Sequence, residues 1–285
     1  MDAVLKHMSD VYTVTFFGLI IVLAVAEWLV PRRASPAAGE GPRLASNFGI
    51  SLLNNLAVRA VFPAAGIAWA ALCAQRGWGL FAHVAWSAPL EFIATILALD
   101  LLLYGRHYLL HRVPILWRLH RTHHSDREYD FTTGIRFHPL EEIFTTTLEF
   151  SLILALGAPP AAVFLSRLLS MTVTLIEHAN LRLPASLDRI VRTVLVTPGM
   201  HRIHHSQAPG DNRSNLSTVF SWWDRVFGTY REHPAAGEAA IEFGLREFPE
   251  GKHSTLGWML AQPFLAEPED AAVHTETTEP AALRM

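Results

Sequence analysis

The chain has 285 residues and a formal net charge of −3; 51% of its residues are hydrophobic and only 17% are charged. This apolar composition argues against a soluble protein, and the weak net charge gives no indication of nucleic-acid binding. The single cysteine, Cys73, excludes an internal disulfide framework and thiolate metal sites such as zinc ribbons and iron–sulfur clusters. What remains to interpret is a set of apolar segments and the side chains between them.

Several apolar segments approach the roughly 20 residues that a helix needs to cross a bilayer. They cover residues 11–30, 48–73, 90–104 and the two halves of a hairpin between 140 and 177. Arg59 and Pro63 interrupt the second segment, which predicts either a kinked span or a helix followed by a re-entrant piece. The hairpin is predicted to turn at 157–160, where glycine and proline occur together. We therefore predict an all-α, multi-pass membrane protein with five crossings.

The basic residues are distributed unevenly among the connecting segments. Arginines follow the first span, fill the segment between the third span and the hairpin, and recur after the hairpin, whereas the opposite side would carry little beyond Lys6 and Arg76. By the positive-inside rule, the arginine-rich segments and the C-terminus are expected in the cytoplasm. Lys6 and Lys252 are the only lysines, and this preponderance of arginine indicates a GC-rich bacterial genome. The predicted location is therefore a bacterial inner membrane.

Histidines are concentrated in three short motifs on the predicted cytoplasmic side. An H-x-x-x-H motif and two H-x-x-H-H motifs hold eight of the fifteen histidines, namely His107, His111, His120, His123, His124, His201, His204 and His205. Residues i, i+3 and i+4 of an α-helix share a face, so each motif would present its imidazoles together. Neutral imidazole is the commonest protein ligand for transition metals. Eight imidazoles are too many for one ion and suit two, which predicts a dimetal site.

Other residues near the motifs are candidate members of this site. Asp100 and Tyr104 lie on the same stripe of the third span as the first histidine motif, and an ionisable group in an apolar segment is usually functional. For Asp100 the alternatives are a hydrogen bond to a metal-bound imidazole and a polar contact between helices. His178, at the end of the last span, is predicted to be a further ligand, and His138 is a candidate ligand, substrate-side residue or helix-start residue. A surface or interface role is expected for the isolated His7, His83, His233, His253 and His274.

The ligand type leaves the metal open among iron, copper and zinc. A hydrolytic zinc site usually has fewer protein ligands and an open position for water. A pair of irons beside a membrane suits attack by O₂ on an unactivated C–H bond of a lipid. The leading hypothesis is therefore a di-iron oxidoreductase with no catalytic residues apart from its metal centre. A membrane metal transporter and a catalytically silent scaffold are the alternatives, of which the first would place polar residues in several spans.

Residues 90–231 resemble a known family. They contain, in this order, D-x-x-x-Y-x-x-H-x-x-x-H, LWRLHRTHHS, RFHPLE, EHAN, TPGMHRIHHS and SWWDRVFGTY. These segments resemble the fatty acid hydroxylase / sterol desaturase superfamily of integral membrane di-iron enzymes. The resemblance implies a membrane-embedded helical fold with a cytoplasmic helical cap, two iron ions, O₂ as co-substrate, and hydroxylation or desaturation of a lipid such as a sterol or fatty acid. It also implies electrons from a separate protein, either cytochrome b5-like or a ferredoxin with its reductase.

The resemblance adds two further residues to the candidate site. Asn215 lies in a segment similar to an Asn-containing segment of the family, where it would orient a ligand or a water, or make a turn. Asp224 stands in a segment similar to the family's W-D-x-x-F-G-T signature and is a candidate acceptor for a metal-bound imidazole. The motifs do not select the lipid, and they do not decide between hydroxylation and desaturation.

The expected organisation has membrane spans in 1–89, a catalytic domain in 90–232 and an extension in 233–285. Within the extension, the alternating residues 241–245 predict a short strand, and 256–264 predict a short interfacial helix. The acidic, Thr- and Pro-containing residues from 266 onward are expected to be disordered.

Overall fold

The structure is a computed structural model that describes residues 2–34, 40–235, 237–248 and 254–266. Its regular elements are helices, apart from an isolated antiparallel bridge between Leu195 and Phe220. The α-helices within these ranges are α1 (Asp2–Leu29), α2 (Glu40–Val61), α3 (Gly66–Arg76), α4 (Ala88–Arg112), α5 (Pro114–His124), α6 (Pro139–Leu156), α7 (Pro160–Glu177), α8 (Ala185–Val191), α9 (Pro198–His204), α10 (Trp222–Val226) and α11 (Leu256–Ala261). The predicted all-α fold class is confirmed.

Four stretches are long and apolar enough to cross a membrane, namely Lys6–Leu29, Gly41–Ala82, Ala88–Arg112 and Pro160–Glu177. The second contains the predicted interruption, because α2 and α3 are separated at 62–65. The first half of the predicted hairpin, α6, is not among the four, since its 18 residues include Glu141, Glu142 and Glu149. The structure thus has four strongly apolar spans where the sequence predicted five.

The outward surface of α1 is apolar and uncovered. The exposed fractions of Val14, Phe17, Ile21 and Val22 are 72%, 58%, 64% and 61%. An apolar surface of this extent is unfavourable in water and suits contact with lipid chains. The opposite face of α1 packs on α7 and on the short 3₁₀ helix Phe131–Ile135, where Leu23 meets Leu175 in a buried cluster. The helix therefore has one face for the protein and one for the bilayer.

Prolines and an N-cap fix where the histidine-bearing helices begin. α4 ends at Arg112, and Pro114 is the first residue of α5. α9 begins at Pro198, and the Thr197 hydroxyl accepts a hydrogen bond from the Met200 N–H at 3.3 Å. Proline fits the first turn of a helix because the N–H that it lacks would have no helical partner there, and the threonine cap satisfies a donor that would otherwise be free. The second and third histidine motifs are therefore placed on separate short helices.

At one end of the bundle, the turn after α3 contacts the turn between α6 and α7. Gly79 and Gly157 both have positive φ, at +93° and +68°. A Cβ atom on Gly79 would overlap the backbone of Gly157. Only glycine combines this backbone conformation with so close an approach. This contact fixes the ends of the helices that lie away from the histidines.

At the opposite end, buried polar contacts join the helix ends that surround the histidines. Glu27, near the end of α1, accepts hydrogen bonds from the backbone N–H groups of Phe131 at 3.0 Å and Asn180 at 2.7 Å. Arg43 in α2 forms a buried ion pair with Asp126 at 2.8 Å, directly after α5. Burying a charge requires such partners. These contacts hold α1 and α2 against the segments that follow α5 and α7.

The C-terminal extension differs in part from expectation. No strand forms at 241–245; instead Ile241 and Phe243 pack on Tyr129, with the two aromatic rings stacked at 4.5 Å. The alternating apolar side chains are thus buried against one ring, without a neighbouring strand to supply ladder hydrogen bonds. The helix predicted at 256–264 is confirmed as α11 and the 3₁₀ helix Gln262–Phe264. The disorder predicted from 266 onward falls almost wholly outside the described residues.

Candidate metal centre

Nine buried histidines converge in two groups, and within each group the ligand atoms all lie within 4.8 Å of one another. The five-histidine group consists of His107, His111, His120, His124 and His204. The four-histidine group consists of His123, His178, His201 and His205. The structure therefore brings together all nine histidines that the sequence predicts as ligands, including His178 from outside the motifs.

Each H-x-x-H-H motif is divided between the two groups. On α5, His120 and His124 belong to the five-histidine group, whereas His123 belongs to the four-histidine group. The division is reversed at α9, where only His204 joins the five-histidine group and the first and last histidines of the motif join the other. A residue pair at i and i+4 shares a helix face more closely than a pair at i and i+1. Both helices therefore lie between the two groups and contribute to each.

Backbone carbonyls orient two imidazoles of the five-histidine group. His107 Nδ1 lies 2.9 Å from the carbonyl oxygen of Leu216, and His204 Nδ1 lies 3.0 Å from that of Ser214. A carbonyl can only accept, so both Nδ1 atoms are donors and both Nε2 atoms keep a free lone pair. These Nε2 atoms are buried and have no hydrogen-bond partner. This is the tautomer that a histidine needs in order to bind a metal through Nε2.

A carboxylate and a helix carbonyl orient two more imidazoles. His120 Nδ1 donates to Glu141 Oε1 at 2.8 Å, and His178 Nδ1 donates to the carbonyl oxygen of Thr174 at 2.7 Å. Glu141 is fully buried in the first turn of α6. The sequence prediction missed Glu141, although the RFHPLE segment contains it. A carboxylate one turn after a helix-starting proline, beside a histidine candidate, was the available signal.

The Nε2 atoms of the four-histidine group have the spacing of a metal coordination sphere. His178 Nε2 lies 3.2 Å from both His123 Nε2 and His205 Nε2, and 3.0 Å from His201 Nε2. The Nε2 atoms of His201 and His205 are 3.2 Å apart. Four nitrogens at the corners of a tetrahedron, each roughly 2.0–2.1 Å from a central ion, lie about 3.3–3.4 Å from one another. The donor set therefore fits a bound transition-metal ion.

Burial keeps these imidazoles neutral. Removal from water disfavours the charged form and lowers the pKa of His178 to about 4. Burial likewise lowers the pKa values of other histidines outside the membrane spans well below the usual range, namely those of His123, His124, His201, His204 and His205. Neutral imidazole is the form that coordinates metal. The buried imidazoles are therefore free to bind metal ions at neutral pH.

His138 lies outside both groups. Its Nδ1 accepts a hydrogen bond from the Leu140 N–H at 3.2 Å, so it caps the N-terminus of α6. Its Nε2 lies 3.3 Å from the carbonyl oxygen of Leu260, to which it donates. Both ring nitrogens are therefore used in hydrogen bonds. Of the alternatives that the sequence left open, this geometry favours the helix-start role.

Asp100 and Tyr104 contact the segment around α10 rather than the imidazoles. Asp100 accepts hydrogen bonds from the N–H groups of Val219 at 3.2 Å and Phe220 at 3.1 Å, and from Trp223 Nε1 at 2.8 Å. The Tyr104 hydroxyl lies 3.0 Å from the hydroxyl of Thr229. α4 is thereby fixed to residues 216–229, the segment in which the carbonyl of Leu216 contacts His107 of the first histidine motif.

Asn215 and Asp224 hold the carbonyls that orient the imidazoles. Asp224 accepts a hydrogen bond from the Leu216 N–H at 2.6 Å. Asn215 has a φ of +53°, and its Nδ2 donates to the carbonyl oxygen of Met200 at 3.0 Å. Its neighbours on either side present their carbonyls to His107 and His204. Both residues therefore act on the histidines indirectly, by holding the backbone segment whose carbonyls contact His107 and His204.

Comparison with known proteins agrees with this geometry. Residues 92–229 match the profile of the family described as fatty acid hydroxylase, and all nine histidines lie within the match. Over these residues the chain is similar to the fatty acid hydroxylase superfamily. The superfamily resemblance stated from the motifs is thus confirmed, and together with the histidine groups it indicates the use of iron.

Several lipid hydroxylases of this superfamily are similar to the chain. It is 26% identical to the alkylglycerol monooxygenase of Xenopus tropicalis over 242 residues, which cover 79% of the chain and 49% of the relative. It is 26% identical to ornithine lipid hydroxylase OlsE of Rhizobium tropici over 242 residues, which cover 81% and 70%. It is 26% identical to the cholesterol 25-hydroxylase of Mus musculus over 155 residues, which cover 51% and 50%. The chain thus spans about half the length of the frog alkylglycerol monooxygenase and of the mouse cholesterol 25-hydroxylase. No solved structure matches it.

Proposed function

We propose that the protein is a membrane-bound, O₂-dependent di-iron oxidoreductase that hydroxylates or desaturates a lipid. The observation that carries this proposal is the pair of buried histidine groups at the ends of apolar helices. The names of the relatives support it, since they refer to the oxidation of an alkylglycerol, an ornithine lipid and cholesterol. What these compounds share is a hydrocarbon portion that a bilayer can deliver, so a lipid is the proposed substrate class.

The five-histidine group and the four-histidine group would each hold one iron ion. When bound, the pair of irons supplies the redox chemistry that activates O₂ for attack on a C–H bond. The chain holds the imidazoles in place through the Nδ1 contacts of His107, His120, His178 and His204. Burial of the histidines excludes bulk water and keeps the ligands unprotonated.

The site is proposed to face the cytoplasm of a bacterium, with the spans in its inner membrane. The end of α1, the start of α2 and the ends of α4 and α7 gather around the histidines, and the arginine-rich segments lie at the same end of the bundle. This arrangement supports the orientation predicted from the positive-inside rule. Electrons would come from a cytochrome b5-like protein or from a ferredoxin with its reductase.

Metal analysis tests the proposal most directly. Protein purified in detergent from iron-replete cells is expected to hold about two iron ions, one for each histidine group, with a coupled Mössbauer spectrum. His123→Ala and His204→Ala each remove a ligand and are expected to lose iron and turnover. His233→Ala, at a position where the side chain is 81% exposed, is the control. Zinc alone after iron reconstitution, or full iron in both ligand variants, would overturn the proposal.

Lipid products test the reaction type. Membranes with and without the protein, supplied with O₂ and a reductant, are compared by mass spectrometry on alkylglycerols, ornithine lipids and sterols. Hydroxylation adds one oxygen atom to a lipid, whereas desaturation removes two hydrogen atoms. A product that appears with the intact protein and is absent from His204→Ala identifies both the lipid and the reaction. Oxidation that continues equally in the variant contradicts the assignment of the metal centre.

Cysteine labelling tests the orientation. In a Cys73→Ser background, His233→Cys places a thiol near the histidine end, and Ala85→Cys places one near the opposite end, since both native side chains are exposed. A membrane-impermeant maleimide applied to intact spheroplasts is expected to label position 85 and to spare position 233. The reverse pattern would place the metal centre outside the cytoplasm.

A further inference from the structure

Two stretches of the chain after the last span form one continuous surface. They are residues 187–194, which include most of α8, and residues 220–227, which include α10. Trp222 Nε1 donates a hydrogen bond to the carbonyl oxygen of Thr193 at 3.1 Å and joins the two stretches. We call these residues the α8–α10 surface. The positive-inside rule assigned both stretches to the cytoplasm.

The α8–α10 surface lies beside α4 and not beyond the end of that helix. Phe227 stacks on Tyr104 of α4, with the ring centroids 5.1 Å apart. Trp223 Nε1 donates to Asp100, one turn further from the end of α4, at 2.8 Å. Because α4 continues to Arg112, these two contacts lie about 12 Å and about 18 Å from its end at about 1.5 Å per residue. α10 is therefore at the depth of a membrane span.

Contacts with α7 give the same depth independently. Leu195 and Phe220 pack against a buried cluster that contains Val173 of α7, and Leu169 packs against the same cluster. Since α7 continues to Glu177, Leu169 lies about 12 Å from the end of that helix. Two different spans thus place the chain around α10 well inside their length.

The outward side chains of this surface are apolar. The exposed fractions of Ile190, Val226 and Phe227 are 69%, 68% and 53%. The exposed surface continues onto α4, where Leu101 is exposed one turn before Tyr104. Clustered apolar side chains of this kind are unfavourable in water and suit contact with a lipid or a partner. A soluble protein would have to reach past the ends of two spans, so the depth favours lipid.

The charged groups of the surface suit the same surroundings. Arg225 donates to the carbonyl oxygens of Ser221 at 3.0 Å and Arg192 at 2.9 Å, and Arg192 pairs with Asp188 at 2.6 Å. Charges near hydrocarbon require such partners. Arg189 is exposed and makes no hydrogen bond or ion pair within the described part of the chain. A long arginine side chain in this position can extend to lipid phosphate groups.

We propose that the α8–α10 surface is embedded in the bilayer leaflet nearest the histidines, with its apolar side chains among the acyl chains and Arg189 at the phosphate groups. Non-helical backbone at this depth needs paired polar groups. The Ser221 N–H donates to the carbonyl oxygen of Val194, and the Val196 N–H donates to that of Val219, both at 3.0 Å. The inference rests on the proposed function only in that the chain lies in a membrane.

Fluorescence quenching tests this depth. The full chain carries Cys73→Ser and one new cysteine labelled with bimane, in nanodiscs of phosphatidylcholine and phosphatidylglycerol. Ile190→Cys and Val226→Cys report on the α8–α10 surface. Ile21→Cys is the control in lipid, and His233→Cys, where the native side chain is 81% exposed, is the control in water. Phospholipids with a nitroxide on the acyl chain should quench positions 190 and 226 as strongly as position 21, and aqueous iodide should quench them severalfold less than position 233.

The controls separate the possible outcomes. Iodide quenching at position 190 or 226 equal to that at position 233 overturns the inference, opens the surface to a soluble protein and leaves the proposed function standing. A label at position 21 that the nitroxide lipids do not quench overturns the membrane location, and with it the proposed function. If Val226→Cys does not fold, Leu187→Cys decides by the same comparison, since Leu187 is exposed on α8.

Discussion

A single hydrogen bond decides which nitrogen of an imidazole faces the metal centre. Nδ1 of His107, His178 and His204 meets a backbone carbonyl, which substitution of a side chain cannot remove. His120 differs because its Nδ1 meets the side chain of Glu141. Such outer partners fix the tautomer and raise the basicity of the ligand. His120 is therefore the imidazole whose orientation can be tested most cleanly by mutation.

Glu141→Ala is expected to weaken iron binding in the five-histidine group by about 10–100-fold, because His120 loses the acceptor that fixes its tautomer. Glu141→Gln keeps an oxygen acceptor and should have a smaller effect. The measurement is the rate of iron transfer from each variant to a chelator. Equal rates for Glu141→Ala and the intact protein would show that Glu141 does not hold the ligand in place.

His138→Ala is expected to lower the free energy of unfolding by about 1 kcal/mol, since α6 loses its N-cap. Iron content should not change, because His138 belongs to neither histidine group. Denaturant titration in detergent micelles and metal analysis of the same sample give the two values. Loss of iron without loss of stability would return His138 to the ligand set.

Residues 256–265, here called the brace, hold α5, the helix that carries the second histidine motif. Arg118 Nε donates to the carbonyl oxygen of Pro263 at 2.7 Å, and Arg121 donates to that of Gln262 at 2.7 Å. The Thr122 hydroxyl donates to Gln262 Oε1 at 2.9 Å. These contacts lie beyond residue 229, where the family match ends. A segment outside the matched region thus helps to position three ligands.

Deletion from residue 254 onward is expected to reduce both thermal stability and iron retention. Arg121, a fully buried residue, would lose acceptor carbonyls, and each lost buried hydrogen bond destabilises by about 1–3 kcal/mol. Deletion from residue 267 onward keeps all of these contacts and serves as the control. Thermal unfolding in detergent, followed by iron analysis, distinguishes the two chains. Equal values for both would show that α5 is held without the brace.

At the scale of the whole molecule, the buried histidines make folding sensitive to pH. Burial lowers the pKa of His178 to about 4 and lowers the pKa values of its neighbours well below the ordinary value of about 6.5. Between about pH 4 and about pH 6.5, these histidines bind protons in the unfolded chain but not in the metal-free folded chain. Stability is therefore fully present above about pH 6.5 and decreases as the pH falls toward about 4.

As the pH is lowered from about 7.5 to about 5, the free energy of unfolding of the metal-free protein is expected to fall by up to about 1.4 kcal/mol per histidine for each pH unit. Its melting temperature should fall accordingly. The iron-loaded protein should resist this change until protons displace the metal. Parallel thermal scans of both forms across this range provide the measurement. A metal-free protein that is as stable at the acidic end as at neutral pH would contradict the neutral, buried state of the imidazoles.

Local pattern was sufficient to predict part of the molecule. The spacing of His120, His123 and His124 placed them on a helix because helical periodicity depends only on sequence neighbours. The prolines at the starts of α5 and α9 likewise act within one turn. The strand predicted at 241–245 was wrong because alternation describes burial, whereas a strand also needs a partner that the chain does not place there.

The sequence by itself determined the ligand type, the helical class and the apolar spans, since these depend on composition and on residues less than a few turns apart. Only the tertiary structure decided how each motif divides between two groups, and that His138 caps a helix while Glu141 approaches an imidazole. These outcomes depend on distances between α5, α6, α7 and α9. Such distances arise when the helices pack together, and no local periodicity encodes them.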